Sequence, residues 1–285
     1  MRIVILSSSV YSETACALAA HLAQSEHVPV GALALRTLHG ATVLRKLGQW
    51  GVRGVALYAR GKLIPRRTDG LPRVQNPHLR PLLEHGDGVF RSLREVAAVY
   101  DLPVATCDDQ NAPDSVSLLK QWSPDLIIFA GGNILREPLL EVPRLGVLNA
   151  HLGLLPEIRG MSSPEWSLLS HVPVGITIHY VDAGIDTGPV LQRCELPDAA
   201  RCESLSDLRN RLIAFGVVKL AEVVAALERG TITATPQSKP DKDRPDKDRL
   251  DEDRQFFVMH EWLQERAAAQ LRRTRPPAVS GAAHG

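Results

Sequence analysis

The feature that most constrains this chain is a repeated alternation of short apolar runs with stretches whose apolar residues recur at helical spacing. Arg2 to Leu6 is a β-branched run that reads as a first strand, and Ser7-Ser8-Ser9 follows as a loop. Ser12 is a good N-cap for a helix over Glu13 to Ala23. Val28 to Ala34 reads as a second strand, Pro103 to Cys107 as a third and Leu126 to Ala130 as a buried fourth, with a helix over 111–122 between the last two. Strands joined through helices cannot pair as hairpins. The pattern therefore predicts an α/β fold, a doubly wound and mostly parallel sheet with helices on both faces, and a site at the carboxyl ends of its strands.

The pattern is interrupted twice. Residues 40–88 are rich in Arg, Gly and Pro and read as an insertion, a solvated loop in preference to an acceptor-binding lid. After Pro197, Ser204 and Asp207 form a capping pair for a long helix through Leu208, Leu212, Phe215, Leu220 and Leu227 that Gly230 can close. Residues 240–254 then nearly repeat Pro-Asp-Lys-Asp-Arg, with seven acidic and five basic side chains and little to bury, which reads as a flexible charged linker. Phe256-Phe257-Val258 and Trp262-Leu263 resume apolar spacing, as a strand or turn and a helix docking on the body, before a loose tail from Arg275. Residues 1–200 are thus expected to form the catalytic domain and 201–285 a helical carboxyl-terminal extension.

Charge and cysteine content exclude several classes. Lys and Arg exceed Asp and Glu by 33 − 32 = +1 in 285 residues, so no net basic field exists to hold a nucleic acid. No apolar run approaches the roughly 18 residues of a membrane span, and the amino terminus reads as a strand and not a signal peptide. Cys16, Cys107, Cys194 and Cys202 lack CxxC spacing, so neither a disulfide framework nor a zinc site is expected, and a reducing cytoplasm is the default. No GxGxxG follows the first strand, which weakens a dinucleotide-dependent reading.

The informative stretch lies between Asp125 and Pro197. Val147 and Leu148 are strand-like, so Asn149 and His151, two residues apart, point to one side at a strand's carboxyl end. An amide donor beside an imidazole suits an oxyanion next to a proton-transfer site. Asp186, between Gly184 and Gly188, can be brought close to another group by a loop as a rigid helix would not allow. Together the three can run acyl transfer without a protein nucleophile, although a His at a strand end reads equally well as a structural residue. Other residues stay open at this level. Arg159 can meet an anion or stabilise a turn, Ser7 to Ser12 can touch an acceptor or simply cap a helix, and His179, inside an apparent strand, reads as structural. Its spacing to His151 and His171 fits no metal pattern, so no metal is expected.

The run Leu148-Asn149-Ala150-His151, Leu154-Leu155-Pro156, Arg159-Gly160, then Gly175-Ile-Thr-Ile-His179 and Gly184-Ile-Asp186-Thr-Gly188-Pro189, resembles the signature of the folate-dependent formyltransferases. The resemblance implies a Rossmann-like formyltransferase fold, with Asn149, His151 and Asp186 as catalytic residues and N10-formyltetrahydrofolate as formyl donor. It implies that Asn133, Ile134 and Leu135, with the loop around Asp182 and Gly184, line the pterin pocket. The chain departs from the family in Leu152-Gly153 after the His, where Pro-Ser is usual, and in lacking the Gly-rich phosphate loop of the glycinamide ribonucleotide enzymes. No β-barrel pattern follows residue 200, so a tRNA acceptor is not expected. What remains is transfer to a primary amine of a small molecule, an amino-sugar nucleotide or a specialised metabolite, and Phe256 to His260 is similar to tails of that group. The alternatives are hydrolysis of the donor to formate and a non-catalytic folate-binding homologue.

Overall fold

The structure is a computed structural model that describes residues 1–25, 27–36, 74–237 and 255–274. The insertion at 40–88 is described only from residue 74, and the charged linker 240–254 and the tail from 275 lie outside the described residues. In chain order the elements begin with β1 (Ile3–Ser7), α1 (Glu13–Gln24) and β2 (Gly31–Leu35). A 3-10 turn (Pro77–Leu79) runs into α2 (Arg80–Leu83), followed by the small hairpin β3 (Glu84–His85) and β4 (Gly88–Val89), then α3 (Leu93–Tyr100), β5 (Val104–Cys107) and α4 (Pro113–Trp122). Next come β6 (Leu126–Ala130), α5 (Glu137–Leu140), β7 (Gly146–His151), β8 (Arg159–Gly160) and α6 (Ser163–Leu169). The chain continues with β9 (Gly175–Tyr180), β10 (Val190–Glu195) and α7 (Leu205–Glu228), and ends with β11 (Gln255–Phe256) and α8 (Glu261–Arg273).

Seven strands form the main sheet in the order β10-β9-β7-β6-β1-β2-β5. β5, β2, β1, β6 and β7 run parallel, while β9 and β10 add an antiparallel edge. The pleat divides the core. Ile3, Ile5, Ile128 and Leu148 face α1 and α7, whereas Val4, Leu6, Ile127 and Val147 face Val116 and Leu119 of α4 and Leu139 of α5. Burial on both faces explains the uninterrupted apolar run of β1, every residue of which is buried. The order reverses at β1, with β2 on one side and β6 on the other, so a crevice opens beyond Ser7 and Ala130.

Local signals account for the helix ends. The Ser12 hydroxyl accepts from Ala15 N–H at 3.3 Å, and Ser204 accepts from Asp207 N–H at 3.0 Å while Asp207 accepts from Glu203 N–H at 2.9 Å. That reciprocal box starts α7, whose buried Leu208, Leu212 and Val217 share the core with α1. The described end of the insertion docks on the same helices. The Glu13 carboxylate accepts the N–H groups of Gln75 and Asn76, and the Asn76 amide donates to the Asn210 carbonyl. At the far end β11 pairs in parallel with β8, and the Phe256 ring lies 4.8 Å from that of Trp166.

Candidate active site

β7 and β9 set the site by register. Asn149 lies directly opposite His179 and His151 opposite Thr177, so four polar side chains share one face. The alternate residues, Leu148 and Ala150, turn to the α1 and α7 side, where a Cβ added to Gly216 would stand 3.3 Å from that of Ala150. Asn149 and His151 therefore point the same way at the carboxyl end of a parallel strand, as their spacing predicts.

Asp186 joins them from the loop between β9 and β10. Its Oδ2 lies 3.3 Å from His151 Nδ1, and its Oδ1 lies 3.6 Å from His179 Nε2. His151 Nε2 meets the Ile158 carbonyl at 2.7 Å, with the Ser163 hydroxyl 3.3 Å away. Both nitrogens of the His151 ring thus face oxygen acceptors, an arrangement that an imidazolium satisfies completely. His179 is fixed differently. Its Nδ1 lies 2.8 Å from the Tyr180 carbonyl and must donate, so Nε2 accepts the Asn149 amide N–H at 3.2 Å. Burial pushes the His179 pKa below its ordinary value, against the pull of Asp186, and keeps the ring neutral. An amide carries two N–H donors, so the one given to His179 leaves a second for a developing oxyanion.

The Asp186 loop is tightly shaped. Asp186 itself sits at φ +54°, in the left-handed region. Gly160 donates its N–H to Asp186 Oδ2 at 2.9 Å. Gly160 sits at φ +96°, and a Cβ there would stand 2.2 Å from the Phe256 carbonyl, so both conformation and space require glycine. Asp182 accepts the Gly184 N–H at 3.1 Å and the Thr187 hydroxyl at 2.7 Å, so it shapes the loop from within.

The second candidate loop follows β6 at the crevice. Gln110, fully buried, donates its amide to the carbonyls of Ser7 at 3.2 Å and Gly131 at 3.4 Å and accepts the Asn133 N–H at 3.0 Å. Asn133 Oδ1 in turn accepts the Gln110 N–H, and Asn111 donates to the Ile134 carbonyl. Ile134 is 74% exposed, whereas Leu135 packs with Leu6 and Val147 in the core, leaving only its backbone for a ligand. Gln110 and Gln237 escape sequence reasoning because each acts through a distant side-chain contact, while Gly160 and Thr177 stand in the signature without a role that the sequence assigns. Arg159 is buried and donates to Gln237 Oε1 at 2.8 Å. Ser12 caps its helix, while Tyr11 beside it is 64% exposed.

Among the described residues no group of His, Cys, Asp and Glu side chains could hold a metal ion, and no helix is long and apolar enough to cross a membrane. A cavity of about 500 Å³ lies against the last turns of α7, lined by residues including Gln192, Glu222 and Arg229, and none of the candidate residues lines it.

Comparison with known proteins bears on this site. Residues 86–224 match the family model described as Formyl transferase. The chain is 34% identical over 189 residues to a methionyl-tRNA formyltransferase of Pelobacter propionicus, a match covering 59% of each protein. It is 35% identical over 190 residues to one of Koribacter versatilis, covering 59% of this chain and 61% of that protein. The chain thus spans about three fifths of the length of these curated relatives. Among solved structures it is similar to a phosphoribosylglycinamide formyltransferase of Anaplasma phagocytophilum, with TM-score 0.52 and 18% identity over 85% of this chain and 96% of that one. A sugar N-formyltransferase of a Shewanella species gives TM-score 0.51 and 15% identity over 84% and 74%. At these identities the solved structures show a shared fold.

Proposed function

We propose that this protein, whose residues 86–224 match the family model described as Formyl transferase, transfers a formyl group from N10-formyltetrahydrofolate to a primary amine of a small molecule. The observation that carries the reading is the convergence of Asp186 on His151, 3.3 Å apart, beside the Asn149 amide. The donor supplies an activated formyl carbon. The amine attacks it, a carbon–nitrogen bond forms, and the bond to N10 breaks. The second amide N–H of Asn149 holds the oxyanion. His151, whose Nε2 lies 2.7 Å from the Ile158 carbonyl, stands beside the Asn149 amide as the proton-transfer group. Asp186 keeps His151 oriented, and with a water it passes the proton of the attacking nitrogen to the departing N10.

For the donor, the exposed Ile134 and the backbone around Asn133 and Leu135 offer an apolar edge and peptide groups, and the loop of Asp182 and Gly184 faces it in our reading. We assign the catalytic domain to residues 1–200 and the chain after it to an extension, of which the described α7 packs into the same core. A cytoplasmic setting suits the four free cysteines. An amino-sugar nucleotide is the acceptor class we favour, since the even charge balance offers no general hold on nucleic acid. The names of the curated relatives favour a second acceptor, methionyl-tRNA.

The test follows tetrahydrofolate release from the donor with no acceptor, with amino-sugar nucleotides, and with methionyl-tRNA. Amine-dependent release supports the proposal. Equal release without acceptor means hydrolysis, and binding without release means a non-catalytic module.

A further inference from the structure

One side chain from the far side of α7 grips the loop that carries Asp186. After α7 the chain returns to the sheet edge, where Thr235 bridges Val190, and places Gln237 under the 186–188 turn. The Gln237 amide nitrogen donates to the carbonyl of Asp186 at 2.9 Å and to that of Gly188 at 2.7 Å. Its Oε1 accepts from the Arg159 guanidinium at 2.8 Å. Arg159 precedes Gly160, whose N–H holds the Asp186 carboxylate at 2.9 Å. A closed ring results. The acid is held at its side chain by β8 and at its backbone by Gln237, and Gln237 is tied back to β8 through Arg159.

The ring has work to do because Asp186 sits at φ +54°, a conformation that costs a non-glycine residue free energy unless its surroundings hold it. The carboxyl-terminal strand reinforces the other half. Gln255 and Phe256 pair with Arg159 and Gly160, and Met161 donates its N–H to the Phe256 carbonyl at 2.9 Å. Both supports come from chain beyond residues 86–224, the part that matches the family model.

We propose that Gln237 is a positioning residue of the active site: it fixes the Asp186 loop so that the carboxylate meets His151, and the segment after α7 thereby completes the catalytic geometry. The role in turnover rests on the transferase reading given above, whereas the clamp itself does not. Displacing a reacting group by about 1 Å can cost about a hundredfold in rate.

The experiment compares wild type with Gln237→Met, which keeps the bulk and removes every hydrogen bond, and with Gln237→Glu, which keeps the acceptor for Arg159 and loses both donors. Two readouts are taken on each: kcat and KM for the formyl donor across pH, and amide hydrogen exchange of residues 182–190. The clamp predicts exchange in 182–190 faster by about tenfold, with β1 and β6 as protected as in wild type. It predicts kcat lower by about 10- to 100-fold at a donor KM within about threefold. Wild-type exchange, or wild-type kcat with a loosened loop, overturns the proposal. If wild-type protein turns over no acceptor, the transferase reading falls and the exchange measurement alone decides the clamp.

Discussion

The Asp186 carboxylate faces the His151 ring at 3.3 Å through Oδ2, and the same oxygen accepts the Gly160 N–H at 2.9 Å. A backbone donor thus aims the acid, and the acid aims the imidazole. Replacing Asp186 by Asn keeps the volume and removes the carboxylate that orients the ring and takes part in proton transfer. We expect Asp186→Asn to lower turnover by about 100- to 10,000-fold, the range for an acid–base group. Steady-state rates alongside far-ultraviolet circular dichroism check it; a folded variant within threefold of wild type contradicts the role.

Asn149 is predicted to act on the oxyanion and not on ground-state binding. Asn149→Ala removes the donor and also the amide that His179 accepts. Turnover should fall by about 100- to 1,000-fold with donor KM little changed. A rise in KM at constant kcat would reassign Asn149 to substrate binding.

His179 gives a pH signature. Burial holds its folded pKa below the ordinary histidine value, so between the two the unfolded chain binds a proton that the folded protein refuses. The contribution is present above the unfolded value of about 6.5 and is lost as pH falls toward the folded value. Unfolding free energy should therefore drop by up to about 1.4 kcal/mol per pH unit in that window. His179→Asn should flatten this part of the slope. Urea denaturation from pH 7.5 to 5 measures it, and parallel slopes for the two proteins count against the assignment.

How much of this was legible before the fold was known depends on the kind of contact. β6 matches its predicted bounds, Leu126–Ala130, because an apolar run buried on both faces is a local signal. The second strand starts at Gly31 and not Val28, since Pro29 between them has no N–H for the ladder. Asn149 and His151 were readable from alternation along one strand, whereas the antiparallel pairing of β9 that sets His179 opposite Asn149 was not, because periodicity carries no partner or direction. Gln110 and Gln237 left no trace at all. A buried amide whose partners lie at Ser7 or Asp186 looks in sequence like any polar residue near a turn.

Gly160 is the backbone position with least tolerance. Gly160→Ala forces a Cβ into a left-handed conformation and toward the Phe256 carbonyl. The backbone alone should cost about 1–3 kcal/mol, with slower turnover from a displaced Asp186. Denaturant midpoints check the first effect, and a variant as stable as wild type contradicts it.

The pair Arg209 and Glu165 ties α7 to α6 through two contacts of 2.7 Å, with the Glu165 side chain 3% exposed and that of Arg209 40% exposed. Arg209→Ala strands a buried carboxylate, and water at the Arg209 end moderates the loss to about 1–2 kcal/mol. Glu165→Gln leaves a neutral amide and should cost less. Denaturation of both variants ranks them, and the reverse order would contradict the pairing.

The central claim is tested most directly by following the carbon itself. The protein is mixed with N10-formyltetrahydrofolate labelled with carbon-13 in the formyl group, together with an amino-sugar nucleotide, and the label is tracked by nuclear magnetic resonance. We predict a formamide signal on the acceptor in wild type and its loss in Asp186→Asn. Label that collects as formate in the presence of the amine, or moves at the same rate without Asp186, would contradict the account.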